Sequence, residues 1–303
     1  MSSGMKLLDR GKLEAAYVTY STIFDMALAK APAIYPQLAT VLPNAGPVNQ
    51  FNWLGDMPTM RKWLGNRVIN RLRAEKHVLT TDWYANGIEV DFDDVNEDKL
   101  GLVEPRIADL ASMGPAKMDA LTVDMYNFGF AGSLGLTYDG QYLIDTDHTA
   151  DGAGSGSQQS NLIVGPLTSA NYNAGITAMM GFVGTNGEPL QVSPDTLLIG
   201  PAQQLAARQL INAMYGANGA SNVDFSTIKI IVNARITSTK WFLLALQHRI
   251  RPVLLGIEVP PMFAELNGWD QLHMFYHRTI LAGAHMKVGT AYGMWQVVVG
   301  SVG

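Results

Sequence analysis

The chain has 303 residues, of which 48% are hydrophobic and 16% charged, and it contains no cysteine. Its 21 basic and 26 acidic residues give a formal net charge of -5. The length suits one large domain or two ordinary ones, and the apolar fraction is that of a folded protein. Without cysteine there is no disulfide, thiolate nucleophile, iron–sulfur cluster or cysteine-ligated zinc. The mild acidity argues against a broad basic face for nucleic acid.

The hydropathy pattern predicts a soluble chain with no membrane partner. A membrane-spanning helix needs about 20 predominantly apolar residues. The longest apolar runs, near residues 241–246 and 295–299, are far shorter. The first ten residues also lack the charged and apolar regions of a signal peptide.

The N-terminal part of the chain consists of a predicted helix followed by a proline-rich connector. Residues 11–30 repeat apolar side chains at intervals of three and four, which predicts an amphipathic helix. Pro32 and Pro36 end this helix, because proline cannot donate the helical hydrogen bond. Residues 32–50 carry four prolines, which predicts an extended connector rather than a packed element.

The next part switches abruptly in charge. Residues 61–76, here called the basic finger, carry six basic residues and one acid, for a local charge of +5. Residues 82–98, here called the acidic block, carry seven acids and no basic residue, for a local charge of -7. Three of the six tryptophans, Trp53, Trp63 and Trp83, lie in or beside these two blocks. Short strands are predicted at residues 78–81 and 88–92.

The remainder alternates helices and strands. A second long helix is predicted from Pro105 to Phe128, with Pro115 kinking or interrupting it. The other predicted elements are a β-hairpin at 136–144, a helix capped by Thr168 or Ser169 that ends near 181, a strand at 196–199, a helix at 201–215, a strand at 228–232, and strands through most of 241–302. If the last strands pair with the early ones, the central α/β part is inserted within a first α+β domain.

No chemical motif indicates catalysis, a cofactor or a metal. Asp145, Asp147 and His148 could offer metal ligands from a turn, as in a metal-dependent hydrolase, but aspartate is also favoured in ordinary hydrogen-bonded turns. Asp91 and Asp93 could begin a calcium loop, yet Val95 and Asn96 occupy positions that need a ligand and a glycine. We therefore predict no catalytic residue, no cofactor and no metal site.

Three hypotheses account for the composition of the basic finger. Its cations and apolar side chains could bind single-stranded nucleic acid through phosphates and stacking. It could equally be a solvated hairpin, or it could meet acidic residues on a neighbouring copy of the chain. Exposed tryptophans favour a partner that covers them.

Several motifs resemble those of Mu-like phage major head subunits, the gpT family. The most specific is FNWLGDMPTMRKWLGNRVI at residues 51–69, which is similar to the family signature WLGxxPxxxxWxGxR. FDDVNEDKLG at 92–101 resembles the acidic element of the family. YDGQ at 138–141, DTDH at 145–148, residues 194–212 and GMWQ at 293–296 resemble its later motifs. The resemblance extends over about residues 50–300.

This resemblance implies an α+β fold of the HK97 capsid type. It implies an N-terminal arm at 1–47, a projecting E-loop at 48–82, a P-domain with a long spine helix at 83–130, an A-domain at 131–240, and terminal strands at 241–303 that return to the P-domain. The implied function is structural: copies of the chain form hexamers and pentamers of an icosahedral phage head around double-stranded DNA, as part of the virion. A separate scaffold protein and a portal are the other implied partners. An encapsulin-type compartment shares this fold and is the alternative shell.

Within this reading, we predict that the basic finger of one subunit lies on the acidic block of another. Pairing of the two blocks within one chain is the competing explanation. The predicted interface residues are Trp53, Leu54, Arg61, Lys62, Trp63, Arg67, Arg71, Arg73, Asp91, Asp93 and Asp94.

Overall fold

The structure of the protein is a computed structural model. It describes residues 10–54, 74–91, 101, 103–150, 157–184, 187–214, 222, 224, 228–266, 276–277 and 279–303. Its α-helices are α1 (Arg10–Lys30), α2 (Tyr35–Leu38), α3 (Val103–Asn127), α4 (Ser169–Met180) and α5 (Gln204–Ala207). None of the helices in these ranges is long and apolar enough to cross a bilayer.

Thirteen strands are present in the described ranges. They are β1 (Ala39–Pro43), β2 (Val48–Leu54), β3 (Ala74–Thr80), β4 (Asp82–Asp91), β5 (His148–Thr149), β6 (Gln158–Gln159), β7 (Leu162–Ile163), β8 (Thr196–Ile199), β9 (Lys229–Val232), β10 (Trp241–Leu244), β11 (Val253–Leu266), β12 (Thr279–Tyr292) and β13 (Val298–Ser301). The mixture of helices and sheets agrees with the predicted α+β class.

The chain divides into two compact units, each built from three separate segments. Unit 1 comprises Met1–Ala33, Asp82–Asp119 and Ile257–Val288, and unit 2 comprises Ile34–Thr81, Ala120–Gly256 and Gly289–Gly303. In unit 1, β12 pairs antiparallel with β4, from Thr279 opposite Asp91 to Val288 opposite Asp82. A late strand therefore pairs with an early one, as the predicted insertion requires.

The core of unit 1 lies between helices and a sheet in which β12 is paired between β11 and β4. Phe24 of α1 is fully buried and packs in one cluster with Ile107 and Leu110 of α3. Ile88 and Val90 of β4 join this cluster because alternate residues of a strand share one face. The helical periodicity of residues 11–30 thus correctly predicts a helix that contributes to the core of unit 1.

Helix α3 is continuous through Pro115, so the predicted interruption at this residue is wrong. The neighbouring Gly114 allows strand β11 to approach the helix closely: a Cβ atom on Gly114 would lie 2.8 Å from Cγ of Pro261. Packing of this kind can outweigh the hydrogen bond that one proline removes from a long helix.

Unit 2 is built around a five-stranded sheet with the order β7-β13-β10-β8-β9. Strand β10 runs antiparallel to both β8 and β13, and β8 runs parallel to β9. Gly175 of α4 leaves room for Leu243 of β10, because a Cβ atom on it would lie 2.7 Å from Cδ1 of Leu243. Thr168 caps α4 as predicted, its hydroxyl accepting the backbone N–H of Asn171 at 3.2 Å.

The connector at 32–50 is packed, which corrects the prediction of an unpacked extended segment. It contains α2 and β1, and Leu38 and Ala39 are fully buried. The hydroxyl of Tyr126 donates to the carbonyl of Leu38 at 2.7 Å. The guanidinium of Arg251 donates to the carbonyl of Ala39 at 2.7 Å and also to that of Pro36. Side chains distant in sequence thus satisfy backbone groups that a buried segment cannot leave unpaired.

Two other predicted elements take different forms. Residues 136–144 form turns rather than a hairpin, since the carboxylate of Asp139 accepts hydrogen bonds from Thr137, Gln141 and Thr149 that compete with strand pairing. The predicted helix at 201–215 is a succession of 3-10, α and π turns that ends at Asn212. The side chain of Asn222 donates to the carbonyls of Leu210 and Ala213 at 2.7 and 2.8 Å, and so satisfies groups at this end.

Candidate assembly surfaces

The ladder of β2 and β3 in unit 2 leads to the basic finger. Trp53 stands opposite Glu75 and Leu54 opposite Ala74, so both predicted interface residues lie at the last pairs of the ladder before residue 55. The predicted residues Arg61, Lys62, Trp63, Arg67, Arg71 and Arg73 lie outside the described residues. The structure therefore describes the ladder as far as Leu54 and again from Ala74.

The base of this ladder is fixed by a close-packed anchor. Leu79 of β3 is fully buried and clusters with Leu254 and Ala291. Two glycines allow β3 to approach this closely. A Cβ atom on Gly256 would lie 2.7 Å from Cδ2 of Leu79, and a Cβ atom on Gly289 would collide with the carbonyl oxygen of Thr80. Such tight backbone contact holds Leu79 and Thr80, at the end of β3, firmly within unit 2.

The acidic block begins on the exposed strand β4 of unit 1. Asp82, Glu89 and Asp91 of this strand are all exposed. Glu89 accepts a hydrogen bond from the hydroxyl of Thr279 at 2.6 Å across the ladder with β12. The predicted interface residues Asp93 and Asp94 lie outside the described residues. Of the predicted acidic contacts, the structure thus describes Asp91, at the end of strand β4.

Trp83 is an exposed aromatic residue that was not among the predicted interface residues. It stands on β4 with 61% of its surface exposed. Its ring centroid lies 5.8 Å from that of His285 and 5.6 Å from Nζ of Lys287, which also pairs with Glu258 at 2.9 Å. The alternation of apolar and polar residues along 82–91 was the signal that could have identified this outward-facing tryptophan.

Asp145, Asp147 and His148 do not form a metal site. His148 Nδ1 lies 2.7 Å from Asp139 Oδ2, and both side chains are fully buried. Asp147 instead accepts from the amide of Gln141 at 3.1 Å. Within the described ranges, no group of three histidine, cysteine, aspartate or glutamate side chains is placed to hold a metal ion. Gln141 also donates its backbone N–H to Asp139, so Asp139, Asp147 and His148 belong to one structural polar network.

The network is closed by a tryptophan far along the chain. The ring of His148 stacks on that of Trp295 at a centroid distance of 4.3 Å, with 9° between the planes. Burial alone would raise the pKa of Asp139, but the hydrogen bond and charge of His148, with hydrogen bonds from Thr137 and Thr149, lower its pKa below the ordinary value. Because the carboxylate is ionised, the proton of the pair resides on Nδ1, which donates.

This pKa direction predicts an acid-sensitive fold. A carboxyl group with a depressed folded pKa stabilises the protein fully above its ordinary value of 3.8, and that contribution is lost as pH falls below it. Asp139→Asn should lower the free energy of unfolding by about 2 kcal/mol at pH 7, and its difference from the wild type should shrink toward pH 3. Urea unfolding at several pH values measures this. A difference that stays constant from pH 7 to pH 3 would contradict the role of Asp139.

One protein family matches nearly the whole chain. The family model of the Mu-like prophage major head subunit gpT matches residues 13–166, 164–236 and 233–303. The Mu-like prophage FluMu major head subunit of Haemophilus influenzae is 31% identical over 150 residues, which are 50% of this chain and 48% of that protein. The major capsid protein of Escherichia phage Mu is 26% identical over 155 residues, 50% of each chain. The matches thus span about half the length of these curated relatives.

Solved structures share the fold. The procapsid of bacteriophage JBD30 matches with a TM-score of 0.62 at 21% identity, covering 97% of this chain and 76% of that one. A virus-like particle from Pyrococcus furiosus matches with a TM-score of 0.52 at 11% identity, covering 94% and 99%. The predicted HK97-type capsid fold is confirmed, and the family is one of structural subunits rather than enzymes. The chain belongs to the family of Mu-like prophage major head subunits.

Proposed function

We propose that the protein is the major subunit of a phage head, in which copies assemble as hexamers and pentamers into an icosahedral shell around double-stranded DNA. The observation that carries this proposal is the family match over residues 13–303 together with the capsid fold. The virion is then its location. The hydrolase alternative lacks support, since Asp147 and His148 are engaged in a buried network.

The contact between copies in this proposal is the basic finger on the acidic block. The charges of +5 and -7 are complementary, and charge complementarity mainly sets register and encounter rate. Trp53, Leu54 and Trp63 would add apolar area, as tryptophans at interfaces usually do. A closed ring of identical subunits forms when one surface of each copy binds a different, complementary surface of the next copy. The two oppositely charged blocks provide such a pair of surfaces.

The remaining parts of the proposal concern domains and further partners. The division into an arm (1–47), E-loop (48–82), P-domain (83–130), A-domain (131–240) and terminal strands (241–303) follows the family resemblance. A separate scaffold protein, a portal and packaged DNA are the proposed partners. A net charge of -5 suits a wall that encloses DNA without binding it tightly.

Electron microscopy of the purified chain tests this function. We expect closed particles above a threshold concentration, because many weak contacts must form together before a shell is stable. Particles made during phage growth should contain nuclease-protected DNA, whereas protein cargo without DNA would indicate an encapsulin-type compartment. A chain that stays monomeric on size exclusion at every concentration would overturn the proposal.

A further inference from the structure

Strand β4 lies at an edge of its sheet, since in the described part of the chain β12 is the strand that pairs with it. Gly87 stands opposite Gly283, and a Cβ atom on Gly87 would lie 3.9 Å from Cα of Gly283. This close approach is typical of a pair that exchanges no backbone hydrogen bonds. The backbone groups of Gly87 therefore point away from β12, and its N–H donates to the side chain of Asn86 at 2.9 Å. Those of Trp83 and Ala85 point the same way, because the directions alternate.

The central part of this edge can accept another strand. Natural edge strands are usually protected by lysine, proline or a bulge. Strand β4 contains no lysine and no proline, and its acidic residues lie toward its two ends. On the side away from β12, the backbone groups of Trp83 and Ala85 make no hydrogen bond to a described residue. Their donors and acceptors are thus available to a partner.

Gly87 is a glycine that the fold of its own subunit does not require. A Cβ atom there would meet the carbonyl oxygen of Ala282 at 3.4 Å, which is an ordinary contact. Its φ is also outside the left-handed region. Glycine weakens the interior of a strand and often marks a place where another chain approaches closely. Together with Gly283, it contributes to a depression of about 450 Å³ on the sheet.

The side chain of Trp83 matches this depression. Trp83, Ala85 and Gly87 lie on one face of β4, because side chains alternate along a strand. The indole is 61% exposed and lies beside His285 and Lys287. Exposed side chains change rotamer within nanoseconds, so it can turn toward the edge. Ala85 is midway between the tryptophan and the glycine, which makes the strand complementary to a second copy of itself.

We propose that β4 pairs antiparallel with β4 of a second copy across a two-fold axis at Ala85. The two Ala85 residues exchange backbone hydrogen bonds, and the N–H of each Trp83 donates to the carbonyl of the other copy's Gly87. Each indole covers the depression beside that glycine, since aromatic residues stabilise glycines in paired strands.

The charges of β4 are compatible with this register. Asp82 of one copy stands opposite Ile88 of the other, and Glu89 stands opposite Thr81. Like charges directly opposite each other would be destabilising, and this register avoids them. Asp91 lies beyond the paired stretch, where the proposed contact with the basic finger can still form. The paired stretch is smaller than the interface of a stable free dimer. The pairing therefore rests on the proposed function, in which other contacts hold the copies together.

Cross-linking of assembled shells tests the pairing, because the chain has no cysteine of its own. Opposite residues of an antiparallel pair have Cβ atoms about 5 Å apart, so a short methanethiosulfonate cross-linker should join Ala85→Cys subunits into a two-chain band. Ala264→Cys is the matched control, since Ala264 is an exposed alanine on β11 of the same sheet. Its two copies would be about 24 Å apart at the usual strand spacing, and it should give no band.

An exchange of the two side chains supplies the second test. In the Ala85→Cys background, Gly87→Val should lower the cross-linked fraction about tenfold, because the added side chain occupies the place of the indole. Trp83→Gly combined with Gly87→Trp should restore the band, since each tryptophan again faces a glycine. Circular dichroism checks that the variants stay folded.

Shells of Ala85→Cys without the two-chain band would overturn the pairing and leave the proposed function intact. An unchanged band from Gly87→Val, or an equal band from Ala264→Cys, would also overturn it. A wild type that forms no shell would overturn the proposed function, and the pairing with it.

Discussion

Reversing three charges of the basic finger should abolish shell formation while leaving the subunit folded. The variant is Arg67→Glu, Arg71→Glu and Arg73→Glu, and it changes the charge of the finger from +5 to -1, because each substitution removes one cation and adds one anion. A negative finger facing an acidic block is repelled where the wild type is attracted, and like-charge juxtaposition costs several kcal/mol. Negative-stain microscopy counts the shells, and circular dichroism checks the fold.

The control for this triple variant carries the same change in net charge elsewhere. Arg106, Arg208 and Arg249 are all exposed, and their replacement by glutamate should preserve shells. Converting Asp91, Asp93 and Asp94 to arginine in the triple variant should restore assembly. Normal shells from the triple variant would refute the contact. A large loss of stability in the isolated subunit would instead favour pairing of the two blocks within one chain.

Removing the indole of Trp295 should destabilise unit 2 by about 3–5 kcal/mol, the usual cost of truncating a large buried aromatic residue to alanine. Trp295 is fully buried, stacks on His148 and meets the ring of Phe182 edge-on at 5.2 Å. The cavity left by Trp295→Ala would also expose the buried pair of Asp139 and His148. Urea unfolding of dissociated subunits measures the change in the free energy of unfolding.

Trp83→Ala is the matched control for Trp295→Ala. It removes the same side chain from a position with 61% exposure, where the loss should be about 0.5 kcal/mol or less. Similar losses from both substitutions would contradict the assignment of Trp295 to the core. Shell formation by Trp83→Ala shows separately whether this outward-facing residue contributes to contacts between subunits.

Local pattern was enough to predict most regular elements. The helix predicted at 11–30 is Arg10–Lys30, the strand predicted at 196–199 is Thr196–Ile199, and the one at 228–232 is Lys229–Val232. In the helix, the apolar periodicity includes Tyr20 and Phe24, which are both buried. The strand Thr196–Ile199 is a short, mostly apolar run that is buried along its whole length. Local and tertiary preferences therefore coincide in these segments. The motif at 51–69 then identified the family.

Elements whose stability depends on distant residues were not predictable from local pattern. The connector is held by Arg251, more than 200 residues further along the chain. The polar network pairs Asp139 with His148 and covers them with Trp295, which no spacing rule connects. Of the predicted interface residues, Trp53, Leu54 and Asp91 are described, and their roles stay predictions.

The strand order of unit 2 has a consequence for when the chain can fold during translation. Strand β13 lies inside the sheet, between β7 and β10, although it follows β10 by more than 50 residues in the chain. A nascent chain that has not yet reached Val298 therefore lacks an interior strand of its largest sheet. Domains generally fold as units during translation, so the ribosome should release a subunit capable of joining its neighbours only after this stretch has emerged. Premature association on the polysome would thereby be avoided.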